Sequence, residues 1–428
     1  MTVLEKTAPE TAPRPPGVTP VRGKRLGATR LAMIGPAFVA AIAYVDPGNF
    51  ATNFAAGASL GYTLLWVVVA ASLIAMLVQF LSAKLALATG SNLARLCRDR
   101  YPRPLTRALW LQAELVAIAT DIAEVIGGAV ALALLFDLPL LVGGMLTTLF
   151  SFVILSLESR GHRRFEAAVA ACLAVIVGAF LWLGLSSGLD TAGVAGGLVP
   201  SVPDSTGLLL ATGIVGATIM PHAIYLHSDL TRRHVVHGTE PATSRRRFTR
   251  LRTDVVLALT IAAVVNGAML VISARLFHTG TQTEPVDTLE GTHAALGTAL
   301  GGGAAVAFGV ALLVSGIAAS SVGTYSGQVV MAGFLGRSLP VTLRRLVTVA
   351  PGLALLAFGV DPTTALLLSQ VVLSFGIPFA LVPLVRLTSD RALMGPLVNQ
   401  RLTTAVAVCA SVLIIALNVL LLFRTATG

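Results

Sequence analysis

Three short stretches carry polar groups where the surrounding sequence is apolar: "DPGN" (46–49), "MPH" (220–222) and "ELVAIATDIAE" (114–124). In the first, Asp46 offers a carboxylate and Asn49 an amide oxygen, both acceptors suited to a cation. In the second, Met220 offers a thioether and His222 an imidazole. Hard cations such as Mg²⁺ and Ca²⁺ prefer oxygen ligands alone, whereas a thioether favours softer transition metals. With carbonyls released near the two prolines, those of Ala43 and Ala217, the set reads as a divalent transition-metal site that discriminates against Mg²⁺ and Ca²⁺.

Each stretch also has an ordinary reading. Asp-Pro-Gly-Asn suits the dihedrals of a surface turn, and a methionine in an apolar segment usually packs. Both readings weaken here, because the turn falls inside an apolar segment of membrane-spanning length and Met220 precedes the matching interruption. His222 is a ligand, a proton carrier or a packed histidine; imidazole titrates near neutral pH, which favours the proton role. His227 lies five residues on, about 140° around a helix, and is read as packing.

Glu114, Asp121 and Glu124 fall within a stripe of about 80° on one helix face and span about 15 Å along it. An ionised carboxylate at mid-bilayer costs roughly 2.5–3.5 kcal/mol or more, so three on one stripe point to an ion path or proton relay. Interhelical ion pairs are the structural counterpart, with Arg344 and Arg345 as expected partners of Glu114 and Asp121. The two readings are compatible, since a nearby arginine keeps a carboxylate ionised and able to accept a proton.

The elements that must position these groups follow from composition. Of 428 residues, 55% are hydrophobic and 12% charged, against about 25% charged in soluble domains. The chain is therefore read as an all-α polytopic membrane protein. A spanning helix needs roughly 20 mostly apolar residues, and eleven segments qualify: about 30–57, 61–88, 107–135, 139–157, 166–188, 207–230, 254–277, 303–332, 345–360, 363–385 and 402–423. Residues 1–29 form a Pro- and Thr-rich tail without a signal-peptide pattern, expected to be disordered and cytoplasmic.

Lys and Arg concentrate in alternate connections, including "RLCRDRYPRPLTR", "SRGHRR" and "SRRRFTRLR", while 189–206 and 278–293 hold none. Positive charge marks the cytoplasmic side. The N-terminus is thus expected inside and, after eleven spans, the C-terminus outside. The net charge of +10 is topogenic, with some contact to anionic lipid, and no nucleic-acid partner is expected.

The first and sixth segments, "MIGPAFVAAIAYVDPGNFATN" and "LATGIVGATIMPHAIYLHS", are each interrupted by a proline. Two interrupted segments five helices apart, entering from opposite sides, are the pattern of an inverted repeat with its site at the midplane. The expected organisation is a first five-helix repeat over 30–188, a second, inverted one over 207–385, and an added helix over 402–423.

Other patterns carry little. "GASLG" (57–61) fits G-x-S-x-G but lacks the strand-to-helix turn of a hydrolase. H-E-x-x-H does not occur, and "GTALGGGAAVAFG" (297–309) has no phosphate-loop Lys-Ser/Thr and suits close helix packing. Cys97, Cys172 and Cys409 show no C-x-x-C spacing. No enzyme activity or resident cofactor is expected.

Taken together, "DPGN", "MPH" and "AELVAIATDIAEV" resemble the Nramp family of divalent metal transporters, in its bacterial manganese-transporter (MntH) branch, over essentially the whole chain after the tail. The resemblance implies a LeuT-like (APC) inverted 5+5 fold with broken helices 1 and 6. It implies import of Mn²⁺, with Fe²⁺, Co²⁺, Zn²⁺ and Cd²⁺ as further substrates, coupled to H⁺ across a bacterial plasma membrane, by a chain functional as a monomer. The metal ligands it implies are the side chains of Asp46, Asn49 and Met220 and the carbonyls of Ala43 and Ala217, with Gln370 of "LLLSQVVLSFGIP" joining in some conformations. The implied proton route runs through Asp46, His222, Glu124 and Asp121, then Arg345, Glu114 and Arg344. Gln328 stands where some relatives carry an acid, so no carboxylate role is carried over to helix eight. The alternative is a Na⁺- or H⁺-coupled amino-acid or other solute transporter of the same fold, which Asp46 and Met220 oppose.

Overall fold

Long apolar runs without surface charge can satisfy their backbone in lipid only as helices, and every apolar segment of the chain folds as one. The computed structural model describes residues 35–159, 161–188, 190–233, 241–278 and 288–427. The expected tail, 1–29, lies outside them. Each segment read from the sequence falls on a helix or a helix pair: α1 Pro36–Ala43 with α2 Pro47–Leu60, α3 Leu65–Thr89, α5 Arg103–Phe136, α6 Leu140–Ser159 and α7 His162–Ser187. They continue as α9 Ser205–Thr218 with α10 Pro221–Arg233, α11 Pro241–Ser273, α13 Gly302–Leu335, α14 Val341–Ala357, α15 Pro362–Thr388 and α17 Arg401–Thr427. Among the described residues, nine helices are long and apolar enough to cross a membrane. The two segments that fall short by length are the split α1–α2 and the 17-residue α14.

Short helices occupy connections expected to be loops: α4 Leu93–Arg100, α8 Thr191–Gly197, α12 Leu289–Leu300 and α16 Arg391–Met394. Asn92, Asp190, Thr288 and Asp390 start them by accepting backbone N–H bonds at their N-termini. Helix α11 begins at Pro241, well before the expected 254. Arginine is a good helix former, so the basic run before 254 extends the helix beyond its apolar part.

Burial separates a centre from a rim. Helix α5 and the α9–α10 pair are buried over 83% and 94% of their most apolar stretches, α6 and α7 over 28%. The rim exposes Leu149, Val153, Leu181, Leu185, Val412 and Leu422, an apolar surface that suits lipid and not water. Helices α5 and α13 cross so closely that a Cβ on Gly316 would stand 3.0 Å from the backbone nitrogen of Gly128. Small residues permit that approach, the usual way membrane helices gain packing.

Prolines shape the inner helices by a simple rule. A proline lacks the N–H that the carbonyl four residues earlier would accept. In α15, Pro378 leaves the Ser374 carbonyl without its helical donor, and Asn418 of α17 supplies one from its side-chain amide at 3.0 Å. The Ser374 hydroxyl completes the pair by donating to Asn418 Oδ1 at 2.8 Å. At Pro47 and Pro221 the helix ends altogether.

Candidate metal centre and carboxylate line

Pro47 and Pro221 each open a half-helix, and each stands four residues after one of the expected carbonyl ligands. Pro47 removes the donor that Ala43 would have had, and Pro221 removes that of Ala217. Helix α1 stops at Ala43, and α2 restarts with Asp46 as its cap, the carboxylate accepting from the Asn49 N–H at 3.0 Å. Helix α9 stops at Thr218 with Ile219 off helical geometry (φ −107°, ψ 74°).

The two breaks meet. The Asn49 side-chain amide donates to Asp46 Oδ1 at 2.6 Å and to the Ala217 carbonyl at 3.0 Å. A carboxylate from the first break and a carbonyl from the second are thus within reach of one atom. Gln370 of α15 closes in from the side: a Cβ on Gly48 would overlap its carboxamide, so the absence of a side chain at 48 admits it. Met220 is fully buried in the gap between α9 and α10.

Satisfaction of polar groups is incomplete at this point. Asp46 Oδ2, Asn49 Oδ1 and Gln370 Oε1 are buried with no hydrogen-bond partner, as is the Thr218 hydroxyl. Buried polar atoms are nearly always paired, and leaving each unpaired costs about 1–3 kcal/mol. Acceptor oxygens clustered in this way are the environment a cation would stabilise. Thr218 was not singled out by sequence reading; its only signal there is a hydroxyl beside an expected carbonyl ligand.

His222, the second residue of α10, bonds through Nδ1 to the Thr120 hydroxyl of α5 at 3.2 Å, and its Nε2 is buried without a partner. Its carbonyl accepts from Ser326 at 2.6 Å. His227 belongs to another group: its Nδ1 bonds to Gln79 Oε1 at 2.8 Å, and Gln79 donates to the Tyr44 hydroxyl at 2.5 Å. Thr120 and Gln79 escaped sequence reading, although each is a polar residue within an apolar run.

Of the α5 carboxylates, Asp121 and Glu124 are buried and Glu114 is partly buried. Glu124 is 1% exposed, and its carboxylate would lie 3.0 Å from a Cβ on Gly323 of α13. Asp121 pairs with Arg345 at 3.2 Å, and Glu114 pairs with Arg344 at 2.6 Å while accepting from Trp110 at 3.1 Å. Both pairs are those expected from sequence. Arg345 is held further by the Ser320 carbonyl at 3.0 Å, the Ser151 hydroxyl at 2.6 Å, and the hydroxyls of Thr324 and Ser320. Both Nη groups are thus engaged, as a buried guanidinium requires, while its Nε is buried without a partner.

Known proteins resemble this chain in sequence and in fold. The family model described as natural resistance-associated macrophage protein-like (Nramp) matches residues 37–424. The divalent metal cation transporter MntH of Bacillus subtilis is 47% identical over 398 residues, 92% of each chain. The crystal structure of the Eremococcus coleocola manganese transporter, bound to an aromatic bis-isothiourea compound, superposes with a TM-score of 0.82 at 34% identity, covering 91% of this chain and 86% of that one. The nucleobase-cation-symport-1 family transporter Mhp1 shares the fold alone, with a TM-score of 0.59 at 18% identity over 90% and 91% of the chains.

Proposed function

The chain belongs to the Nramp family, and from that premise we propose that it imports divalent transition metals, Mn²⁺ first, by alternating access coupled to H⁺. The observation that carries the reading is the meeting of the two proline breaks. Each proline deprives the carbonyl four residues earlier, Ala43 or Ala217, of its helical donor, the Asn49 amide links Asp46 to the Ala217 carbonyl, and Met220 is buried in the second gap. Metal gives up water for these ligands; Asp46 supplies the charge and Met220 the preference for a transition metal over Mg²⁺ and Ca²⁺. Gln370, already against Gly48, adds an amide oxygen as the site closes. Tilting of the α1–α2 and α9–α10 pairs then opens the opposite side, and metal favours whichever state ligates it better.

The proton leaves Asp46 as metal arrives. It passes with help from His222 to Glu124 and Asp121, then along Arg345, Glu114 and Arg344, a route separate from the metal's. Supporting this are the burial of Asp46, His222, Glu124, Asp121, Arg345 and Arg344 and the two arginine pairs that keep carboxylates charged inside the bundle. The remaining readings are eleven spans, a cytoplasmic N-terminus and external C-terminus in a bacterial plasma membrane, and a functional monomer.

The test is tracer Mn²⁺ uptake into sealed proteoliposomes carrying an internal pH dye. Asp46→Ala is expected to abolish uptake, and near-normal uptake would remove Asp46 as an essential ligand. Met220→Ala is expected to keep part of the Mn²⁺ flux while admitting Ca²⁺ or Mg²⁺; unchanged exclusion would sink the selectivity argument. Wild-type uptake without internal acidification would remove the proton coupling.

A further inference from the structure

At the arginine-rich end of the bundle, away from the proline breaks, lies a cavity of about 520 Å³ whose walls come from α4, α10 and α13. Arg95 and Arg98 line it from α4, Arg232 and Arg233 from α10. The lining contains one carboxylate, Asp229, which is already committed. Its Oδ1 accepts from the Asn92 amide at 2.7 Å and Arg232 Nε at 2.5 Å, and its Oδ2 accepts from Arg233 Nε at 3.1 Å.

The arginines are spent unequally. Arg232 gives Asp229 its Nε. Arg98 gives its Nε to Asp99 at 3.3 Å, and Arg95 stands 3.7 Å from the same carboxylate, beyond hydrogen-bond range. The paired Nη groups of these three residues, the fork that grips phosphate or carboxylate bidentately, make no other ion pair or hydrogen bond within the described residues. Arg233 is more fully used, by Asp229, by Glu158 at 3.3 Å, and by the Tyr325 ring beneath its guanidinium at 5.4 Å. Tyr325 itself is buried in the cavity wall. Gln328 lines the same wall with a neutral donor amide.

Four arginines stand against three carboxylates, Asp229 in the lining and Asp99 and Glu158 paired to its arginines, which leaves a net positive cavity with the Nη forks of Arg95, Arg98 and Arg232 unspent and the Gln328 amide in its wall. We propose that it binds a phosphate group, free or carried by a lipid headgroup, bridging Arg95 and Arg98 of α4 to Arg232 of α10. Only a bidentate oxyanion matches that donor set; a halide would leave the forks half used, and a cation is repelled. The bridge adds to an existing junction, in which the Leu93 N–H donates to the Ser228 hydroxyl at 3.0 Å and Asn92 holds Asp229. A bound phosphate therefore ties the half-helix α10, which begins at the second proline break, to α4. The site stands on its own geometry, and only the significance of tying α10 rests on the transport reading.

The test uses thermal unfolding of the full purified chain without manganese, which keeps it independent of transport. In neutral detergent, inorganic phosphate is compared with chloride at matched ionic strength. In nanodiscs, phosphatidylcholine is compared with phosphatidylcholine containing phosphatidic acid. A saturable rise of the unfolding midpoint with inorganic phosphate, lost in Arg95→Gln/Arg98→Gln, supports a free anion as ligand. A rise confined to phosphatidic acid, lost in the same variant, supports a lipid headgroup. The variant is checked by calorimetric Mn²⁺ binding, expected to match wild type because neither arginine lies near the breaks. If it fails to fold, Arg95→Lys/Arg98→Lys replaces it, keeping the charge while losing the fork, with the rise expected to weaken. No rise in either medium, or the same rise in wild type and variant, overturns the proposal.

Discussion

Gly216 sits one residue before the Ala217 carbonyl, where α9 runs against the backbone of α15. A Cβ there would overlap the Gln370 carbonyl oxygen and lie 2.9 Å from both the Gln370 carbonyl carbon and the Ser374 nitrogen. All three atoms are main chain, so no side chain can swing away. To restore normal contact, α9 and α15 must part by about 1.5 Å. Overpacking costs about 1–3 kcal/mol, and against backbone the upper end applies; alanine's helix preference over glycine returns about 1 kcal/mol. The net expectation for Gly216→Ala is a loss of about 2 kcal/mol, roughly thirtyfold in the folding equilibrium. The same shift would carry the Ala217 carbonyl from 3.0 Å to beyond hydrogen-bond range of Asn49, so Mn²⁺ uptake should fall as well. Gly213→Ala, three residues earlier on α9, is the control. Its Cβ would meet only the methyl of Thr52 at 3.1 Å, a neighbour that can yield, and stability near wild type is expected. Thermal unfolding and vesicle uptake of both variants decide the matter. If Gly216→Ala proves as stable and as active as Gly213→Ala, the close approach of α9 to α15 does not position the carbonyl.

Other outcomes follow from the same geometry. Pro47→Ala returns an N–H four residues after Ala43, and we expect the restored helical bond to compete for that carbonyl and lower Mn²⁺ affinity in calorimetry without unfolding the chain. Asp121→Asn strips Arg345 of its charge partner, and breaking a buried pair costs about 3–5 kcal/mol; the double variant Asp121→Asn/Arg345→Met should recover part of that loss in thermal unfolding. On α4, burial pushes the Cys97 thiol up to about 12. It is therefore the protonated, unreactive form throughout ordinary buffers, and mass spectrometry should find it unalkylated in the folded protein at pH 8 and modified after denaturation.

Most of the architecture was legible from sequence because lipid leaves the backbone little choice. Apolar runs of spanning length became helices, and the two prolines told where those helices break. Ion-pair partners for Glu114 and Asp121 could be named because Arg344 and Arg345 sit at the end of a single apolar segment. What sequence did not provide was approach. That Gln370 presses on Gly48, or that the Asn49 amide spans both breaks, depends on helices far apart in the chain crossing at one place. The short helices α4, α8, α12 and α16 were missed because helices of twelve residues or fewer show too few turns for an apolar stripe to stand out. The cavity at the arginine-rich end was hidden for another reason. Its arginines look like ordinary topogenic charge until the fold gathers those of α4 and α10 around one space.

The bond from Asn418 to the Ser374 carbonyl bears on how this chain tolerates shortening. Helix α17 is the last helix of the chain's described residues, so removing it would look like trimming an appendage. Yet Pro378 within α15 leaves a carbonyl whose bond comes from α17. A chain ending before Arg401 would leave that carbonyl facing lipid inside the helix that also carries Gln370. Terminal deletions at this end are thereby coupled to the centre of the molecule, and a fusion partner or affinity tag belongs after residue 427 rather than in place of α17.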